Sequence, residues 1–161
     1  MLEGGTDVEI AMRLAHAEEA GALSEHALRS KAHWGYDERF LDACRADLTL
    51  RPEEVDERRT VLAEASGQLV GFYTLDGVPP EGELGNLWIE PSWLHRGVGR
   101  RLWQHAVQTA REHGFRSISI GADPNAEGFY LTMGTVRVGE TPSTAIPGRF
   151  LPRLRFRLSA T

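Results

Sequence analysis

Between Glu83 and Tyr130 the sequence alternates its periodicity in a fixed order: strand, glycine turn, helix, strand, short helix. Glu83 to Ile89 is extended and apolar-rich, and Pro91-Ser92 ends it with a turn signal. His95-Arg96-Gly97-Val98-Gly99-Arg100 then opens a helical pattern in which Val98, Leu102, Trp103, Ala106, Val107 and Ala110 share one face. Gly114 supplies the stop, because glycine takes a left-handed cap conformation readily. Ile118 and Ile120 alternate with Ser117 and Ser119, the two-residue period of a strand. Asp123-Pro124 provides an N-cap and first-turn proline for a helix reaching about Met133.

A strand that feeds a helix returning to a second strand implies two parallel neighbours joined by a right-handed crossover. Gly97 and Gly99 then lie at the carboxyl end of the first strand, where the helix begins. The first N–H groups of a helix have no intrahelical acceptor, and the helix dipole is positive there. A phosphate or pyrophosphate is the ligand such a turn suits. Glycines also start helices for packing reasons alone, and two of them do not decide between these readings.

The remaining chain reads as one domain over residues 1–161, a length at which a single core buries roughly two-thirds of the unfolded surface. Several elements precede the central unit. Val8 to Leu14 alternates as a strand, Ala17 to Ala32 is helical with Ala20, Leu23 and Ala27 on one side, and a second helix starts at Asp37. Between these helices lie Trp34 and Tyr36, which by themselves read as core anchors. Arg51 to Arg59 is a charged connector. Val61 to Ala65 and Leu69 to Leu75 form a hairpin around Ser66-Gly67-Gln68, and Asp76 to Gly82 is expected to be a loop. Val136 to about Glu140 is a further strand, and Thr141 to Pro147 a loop. In the last segment Leu154, Phe156 and Leu158 should face the core. Arg153, Arg155 and Arg157 then point outward, either as a stripe for acidic partners or as a solvated face that discourages edge pairing.

Several chemistries are excluded. The net charge of −5 argues against nucleic acid as a partner and suits a cationic amine slightly better. The six histidines fall into no ligand spacing and Cys44 is the lone cysteine, so neither a metal cluster nor an internal disulfide is expected. A reducing cytoplasm is the default compartment for such a chain. Neither a signal-peptide run nor a stretch long enough to cross a membrane is present. The serine-nucleophile elbow and the Gly-Lys-Ser/Thr phosphate loop are both missing. Dinucleotide binding is the nearest enzymatic rival, but Leu102 stands at the third glycine position and the loop from Glu90 to Arg96 is long for that fold. Of the 18 basic side chains all but Lys31 are arginine.

From Pro91 to Tyr130 the chain resembles the acetyl-CoA motif of the GCN5-related N-acetyltransferase (GNAT) family. The features that carry the likeness are the turn Leu94-His95-Arg96-Gly97-Val98-Gly99 and the later Asn125-Ala126-Glu127-Gly128-Phe129-Tyr130, with Met133-Gly134 after it. Leu94 departs from the usual Gln or Arg, and Thr135 from the usual aromatic. The resemblance implies a single α/β domain with a mixed, mostly antiparallel sheet, a parallel pair at the Glu83 and Ser117 strands, and acetyl-CoA in the opening between them, with no metal. It implies that backbone groups of Leu87, Trp88 and Ile89 pair with the pantetheine arm. Residues His95, Arg96, Gly97, Val98, Gly99 and Arg100 would hold the pyrophosphate, and Asn125, Phe129 and Tyr130 would line the far side.

The same likeness implies direct acetyl transfer to an amine of a small molecule or protein terminus. Tyr130 is then the acid for the departing thiolate, although it also reads as a packed aromatic. Glu83, sixteen positions before Gly99, is the candidate base, or simply an exposed carboxylate at a strand start. Trp34, Tyr36 and Arg149 are the candidates for the acceptor pocket. The same motifs are compatible with a module that binds acetyl-CoA without turning it over. The acceptor's identity is open, and a homodimer is among the oligomeric states left open.

Overall fold

The computed structural model describes residues 9–158, so Val8 lies outside the described residues. The chain runs β1 (Ile10–Leu14), a 3-10 turn (Ala17–Glu19), α1 (Ala20–Ala32), α2 (Glu38–Leu48), α3 (Pro52–Glu57), β2 (Val61–Ala65) and β3 (Gln68–Val78). It continues with β4 (Glu81–Ile89), α4 (Val98–Glu112), β5 (Ser117–Gly121), α5 (Glu127–Thr132), β6 (Val136–Pro142) and β7 (Phe150–Arg157). The strands form one sheet in the order β1-β2-β3-β4-β5-β7-β6. Only β4 and β5 run parallel among these neighbours, as the crossover through α4 requires.

Each face of the sheet acquires its own apolar layer. The stripe expected for α4 is buried in full, with Val98, Leu102, Trp103, Ala106, Val107 and Ala110 packed over Tyr73, Leu75, Ile118 and Leu154. On the opposite face Leu23 and Ala27 of α1 cover Phe72 and Leu62, with Val55 of α3 beside them. At about 25 cal/mol per Å² of apolar area removed from water, a fully buried Leu such as Leu102 contributes roughly 1.5–3 kcal/mol.

Two stretches differ from the sequence expectation. The β2–β3 hairpin closes with Ala65 opposite Gln68, so its turn is the two residues Ser66 and Gly67 rather than three. Both have positive φ, 52° and 77°, which matches the right-handed twist of the flanking strands. Asp76 to Gly82 is not a loop. β3 and β4 remain paired through Asp76↔Glu83 and Val78↔Glu81, and only Pro79-Pro80 turns the corner.

A bulge in β4 sets which side chains of its second half face each layer. Thr74 pairs with Asn86 and Leu75 with Leu84, leaving Gly85 as the extra residue. A Cβ built on Gly85 would collide with the Asp76 carboxylate and the Arg58 guanidinium, which are joined at 2.8 and 2.9 Å. Beyond the bulge Leu87 and Ile89 pack toward the α4 layer, while Asn86 and Trp88 turn to the α1 side.

Candidate active site

The parallel pairing of β4 and β5 ends early. Glu81, Gly82 and Glu83 lie opposite Ser117, Ile118 and Ser119, and then β4 continues to Ile89 with no strand partner on its β5 side among the described residues. Glu90 N–H bonds Val70 O at 2.8 Å, which places Glu90, Trp88 and Asn86 in the hydrogen-bonded positions opposite β3. By the alternation of an antiparallel ladder, the N–H and C=O groups of Leu87 and Ile89 point the other way, into the opening. Ile89 C=O accepts from Ser30 Oγ of α1 at 2.9 Å. Trp88 therefore differs from the expectation that its backbone faces the opening. It offers its indole, whose Nε1 donates to Asn86 Oδ1 at 2.8 Å, while Asn86 Nδ2 donates to Thr74 Oγ1 at 3.0 Å.

The start of α4 faces the same opening. Gly97 is its N-cap residue at φ 85°, a left-handed conformation that suits glycine, and His95 is also left-handed at φ 63°. Among the described residues no side chain caps this end, and the first helix-closing bond is Arg101 N–H to Gly97 O at 3.1 Å. The donors before Arg101 are thus the orphan groups of a helix start. A Cβ on Gly99 would sit 3.3 Å from the Phe129 ring and 3.6 Å from Ile89, so the turn, α5 and the end of β4 meet here. Val98 buries its side chain and presents backbone alone. His95, Arg96 and Arg100 are exposed, with Arg96 lying 4.0 Å over the Trp93 ring.

Tyr130 lies in the core under α5. Its ring makes edge contacts with Trp103 at 5.9 Å and Phe129 at 5.2 Å, and burial holds its phenol well above the usual range. Its ring is packed, and burial favours the protonated phenol. Glu83 sits where the two parallel strands are still joined, about 13 Å along the strand from Leu87. Both its oxygens accept from Arg153 at 2.8 Å, across β5. Of the three outward arginines of β7, Arg153 is thus committed to Glu83, and Arg155 is half-buried with its Nε unpartnered.

The acceptor candidates separate. Trp34 is 42% exposed and touches His33 edge-on at 5.2 Å, so it is not a core anchor. Tyr36 and Arg149 meet directly, Arg149 Nη2 donating to Tyr36 Oη at 3.0 Å. They belong to a network centred on Asp123, the residue that caps the turn after β5. Its carboxylate accepts from Lys31 Nζ at 2.7 Å, from Tyr36 Oη at 2.9 Å, and from Asn125 N–H and Nδ2 at 2.8 and 2.9 Å. Burial opposes ionisation of Asp123, but the Lys31 and Asn125 hydrogen bonds and the Lys31 charge outweigh it and hold the carboxyl below its ordinary range. Burial and the neighbouring Asp123 raise the Tyr36 phenol.

Phe40 stacks on Tyr36 at 4.1 Å, and Lys31 lies 5.9 Å from the Trp88 ring, tying the network to the bare segment of β4. Sequence reasoning missed Lys31, and took Asp123 for a cap or, under the rejected dinucleotide reading, a ribose-binding acid. The available signal was Lys31's singularity among eighteen basic residues. Two hollows lie outside the Asp123 network: one of about 360 Å³ where His105, Thr109 and His113 meet Arg13 and Arg59, and one of about 330 Å³ beside Trp103 and Phe156 that Arg100 also lines.

Comparison with known proteins agrees with this geometry. The chain resembles the crystal structure of the PaiA N-acetyltransferase from Thermoplasma acidophilum in complex with coenzyme A, with a TM-score of 0.75 and 18% identity over 92% of this chain and 99% of that one. It also resembles the ribosomal-protein-S18-alanine N-acetyltransferase from Escherichia coli, with a TM-score of 0.70 and 14% identity over 95% and 96% of the two chains. A curated N-acetyltransferase encoded in the pepI 3′ region of Lactobacillus delbrueckii subsp. lactis is 28% identical over 88 residues, which are 48% of this chain and 51% of that protein. The chain thus spans about half the length of the curated relative it matches. The acetyltransferase (GNAT) family profile matches residues 22–135, well over half of the sequence, and the chain belongs to that family.

Proposed function

We propose that this protein is an acetyl-CoA-dependent N-acetyltransferase that moves the acetyl group directly to an amine. The observation that carries the reading is the convergence of two sets of unengaged backbone groups on one opening: the orphan donors at the start of α4, and on β4 the Leu87 N–H and C=O with the Ile89 N–H. The first set suits the pyrophosphate. The second suits the amide-bearing pantetheine arm, which would add to β4 as an extra strand.

In that pose Leu87 N–H lies against the thioester oxygen and stabilises the charge that develops as the amine attacks the carbonyl carbon. The carbon–sulfur bond breaks, and the departing thiolate takes its proton from the Tyr130 hydroxyl, which burial favours in the protonated form and which regains a proton from solvent as CoA leaves. The attacking nitrogen must itself lose a proton, because an alkylammonium has a reference pKa near 10.4. Glu83 is too far along the strand for direct contact, so its part is to accept that proton through water, with Arg153 holding its orientation. Asn125 and Phe129 flank the cofactor, and the acceptor enters from the side of Trp34, Tyr36 and Arg149. A reducing cytoplasm suits the free, buried Cys44.

The experiment is release of CoA thiol from acetyl-CoA across a panel of amines, with Tyr130→Phe as the control. A positioned acid contributes about 10²- to 10⁴-fold, so the variant should lose turnover in that range with little change in acetyl-CoA affinity. Wild-type turnover in the variant would remove Tyr130 from the mechanism. Tight acetyl-CoA binding with no release for any amine would reduce the protein to a binding module.

A further inference from the structure

The charge balance of the network beside β4 narrows the acceptor. Lys31 and Arg149 both face Asp123, at 2.7 and 3.9 Å, and all three side chains are at least four-fifths buried. Two cations stand against one carboxylate, a surplus of one positive charge. Arg149 spends one contact on Tyr36 and lies 4.8 Å over Phe40. Among the described residues its Nε and Nη1 make no hydrogen bond, and Lys31 uses only one of its three donors. The other acidic groups nearby do not cancel the surplus. Glu83 is paired with Arg153 and Glu90 with Arg29, while Asp47 keeps its charge on the exposed side of α2, where water screens it from the buried pair and Thr144 Oγ1 donates to it.

A site with spare positive charge repels a simple alkylammonium, which is itself a cation at neutral pH. It suits an amine that carries its own anion, and its field also disfavours the protonated nitrogen, making the attacking free amine more available. The planar guanidinium, held in an aromatic stack, is the group that recognises a carboxylate or other oxyanion by paired hydrogen bonds.

We infer that the acceptor is a small amine bearing an oxyanion, of the amino-acid type, whose anionic group docks on the spare donors of Arg149 and Lys31 while its nitrogen points to the Leu87–Ile89 segment. This rests on the acetyltransferase reading but concerns the charge of the acceptor alone.

The test uses matched pairs: free amino acids against their carboxamides, with aminoalkylphosphonates as a second oxyanion class. Acetyl-CoA turnover is measured first. Binding of the same pairs to the CoA-saturated protein, measured by calorimetry, reads the charge preference even if no turnover occurs. A hydrogen-bonded charge contact predicts about a 10- to 100-fold advantage of the acid over its amide in kcat/KM and in affinity. Carboxylates outrunning phosphonates would identify a carboxylate acceptor, and the reverse a phosphonate one. Arg149→Gln should bring acid and amide toward parity by weakening the acid, and Arg149→Lys should keep part of the preference. Amides or peptide N-termini equal to or better than the acids, binding of neither member of any pair, or an equal loss for both members in Arg149→Gln would each overturn the inference. Failure of the acetyltransferase reading itself looks different: the acids bind preferentially and no thiol is released.

Discussion

Asp123 is the residue whose removal should be felt most. At 2.7 Å and an effective dielectric near 20, the Lys31–Asp123 attraction is about 6 kcal/mol, and the cost of taking both ions out of water offsets most of it. The pair as a whole therefore contributes little, whereas deleting one partner strands the other. Asp123→Ala leaves Lys31, 10% exposed, and Arg149, 19% exposed, as two cations with no anion between them. Breaking a buried pair costs about 3–5 kcal/mol, and the opening of this cluster to solvent at Arg149 places the expectation near 3 kcal/mol. For a chain of this size that lowers Tm by roughly 6–12 °C. Lys31→Met should cost less, about 1–2 kcal/mol, because Asp123 keeps Tyr36, Asn125 and Arg149. The double variant should be no worse than Asp123→Ala alone, giving a coupling of at least about 1–2 kcal/mol. Urea unfolding at neutral pH, with unchanged m-values, measures all four corners of the cycle. Costs that simply add to within about 0.5 kcal/mol, or a Lys31→Met loss larger than that of Asp123→Ala, would refute the charge accounting on which the acceptor inference also stands.

Two further outcomes test the cofactor end and the acid limb. Gly99→Asp puts a Cβ against Phe129 and a carboxylate where a pyrophosphate would lie. An acid in the first turn of a helix is favourable by about 0.3–1 kcal/mol, so the fold should survive while acetyl-CoA affinity falls more than about 100-fold by calorimetry; unchanged affinity in a folded variant would remove the turn from the site. As pH falls, stability should decline in two stages. Burial depresses the native pKa of His26 below its ordinary 6.5 against the opposing pull of Glu90, so the unfolded chain binds the proton first and stability is lost as pH drops below that value. Asp123, also depressed in the native state, contributes stability above 3.8 that is lost as pH falls through that value and then through its native pKa. Denaturant midpoints that stay flat between about pH 8 and 5 would show that His26 is not held neutral.

The parts of this molecule that could be read in the sequence are those in which a periodic pattern and its burial share one segment. The α4 stripe, the alternation of β7 and the strand–helix–strand unit that forces β4 and β5 to run parallel each declare themselves within about twenty residues. The parts that could not be read depend on pairing between distant segments. Whether Trp88 offers backbone or ring is decided by its register with Phe72, and the bulge at Gly85 shifts that register because Asp76 and Arg58 occupy the space a side chain would need. Lys31 and Asp123 stand 92 positions apart, and neither belongs to a pattern: one is a lone lysine on a helix, the other an ordinary capping residue. The aromatic turn misled for the same reason. Trp34 and Tyr36 carry equal weight in sequence, but only Tyr36 is reached by residues from the far end of the chain, through Asp123 and Arg149. The cofactor end of a GNAT fold is built from local backbone geometry, which a short motif can encode. The Asp123 network proposed for the acceptor is built from side chains that three separate segments bring together, so its charge becomes readable only once the fold has fixed where those segments meet.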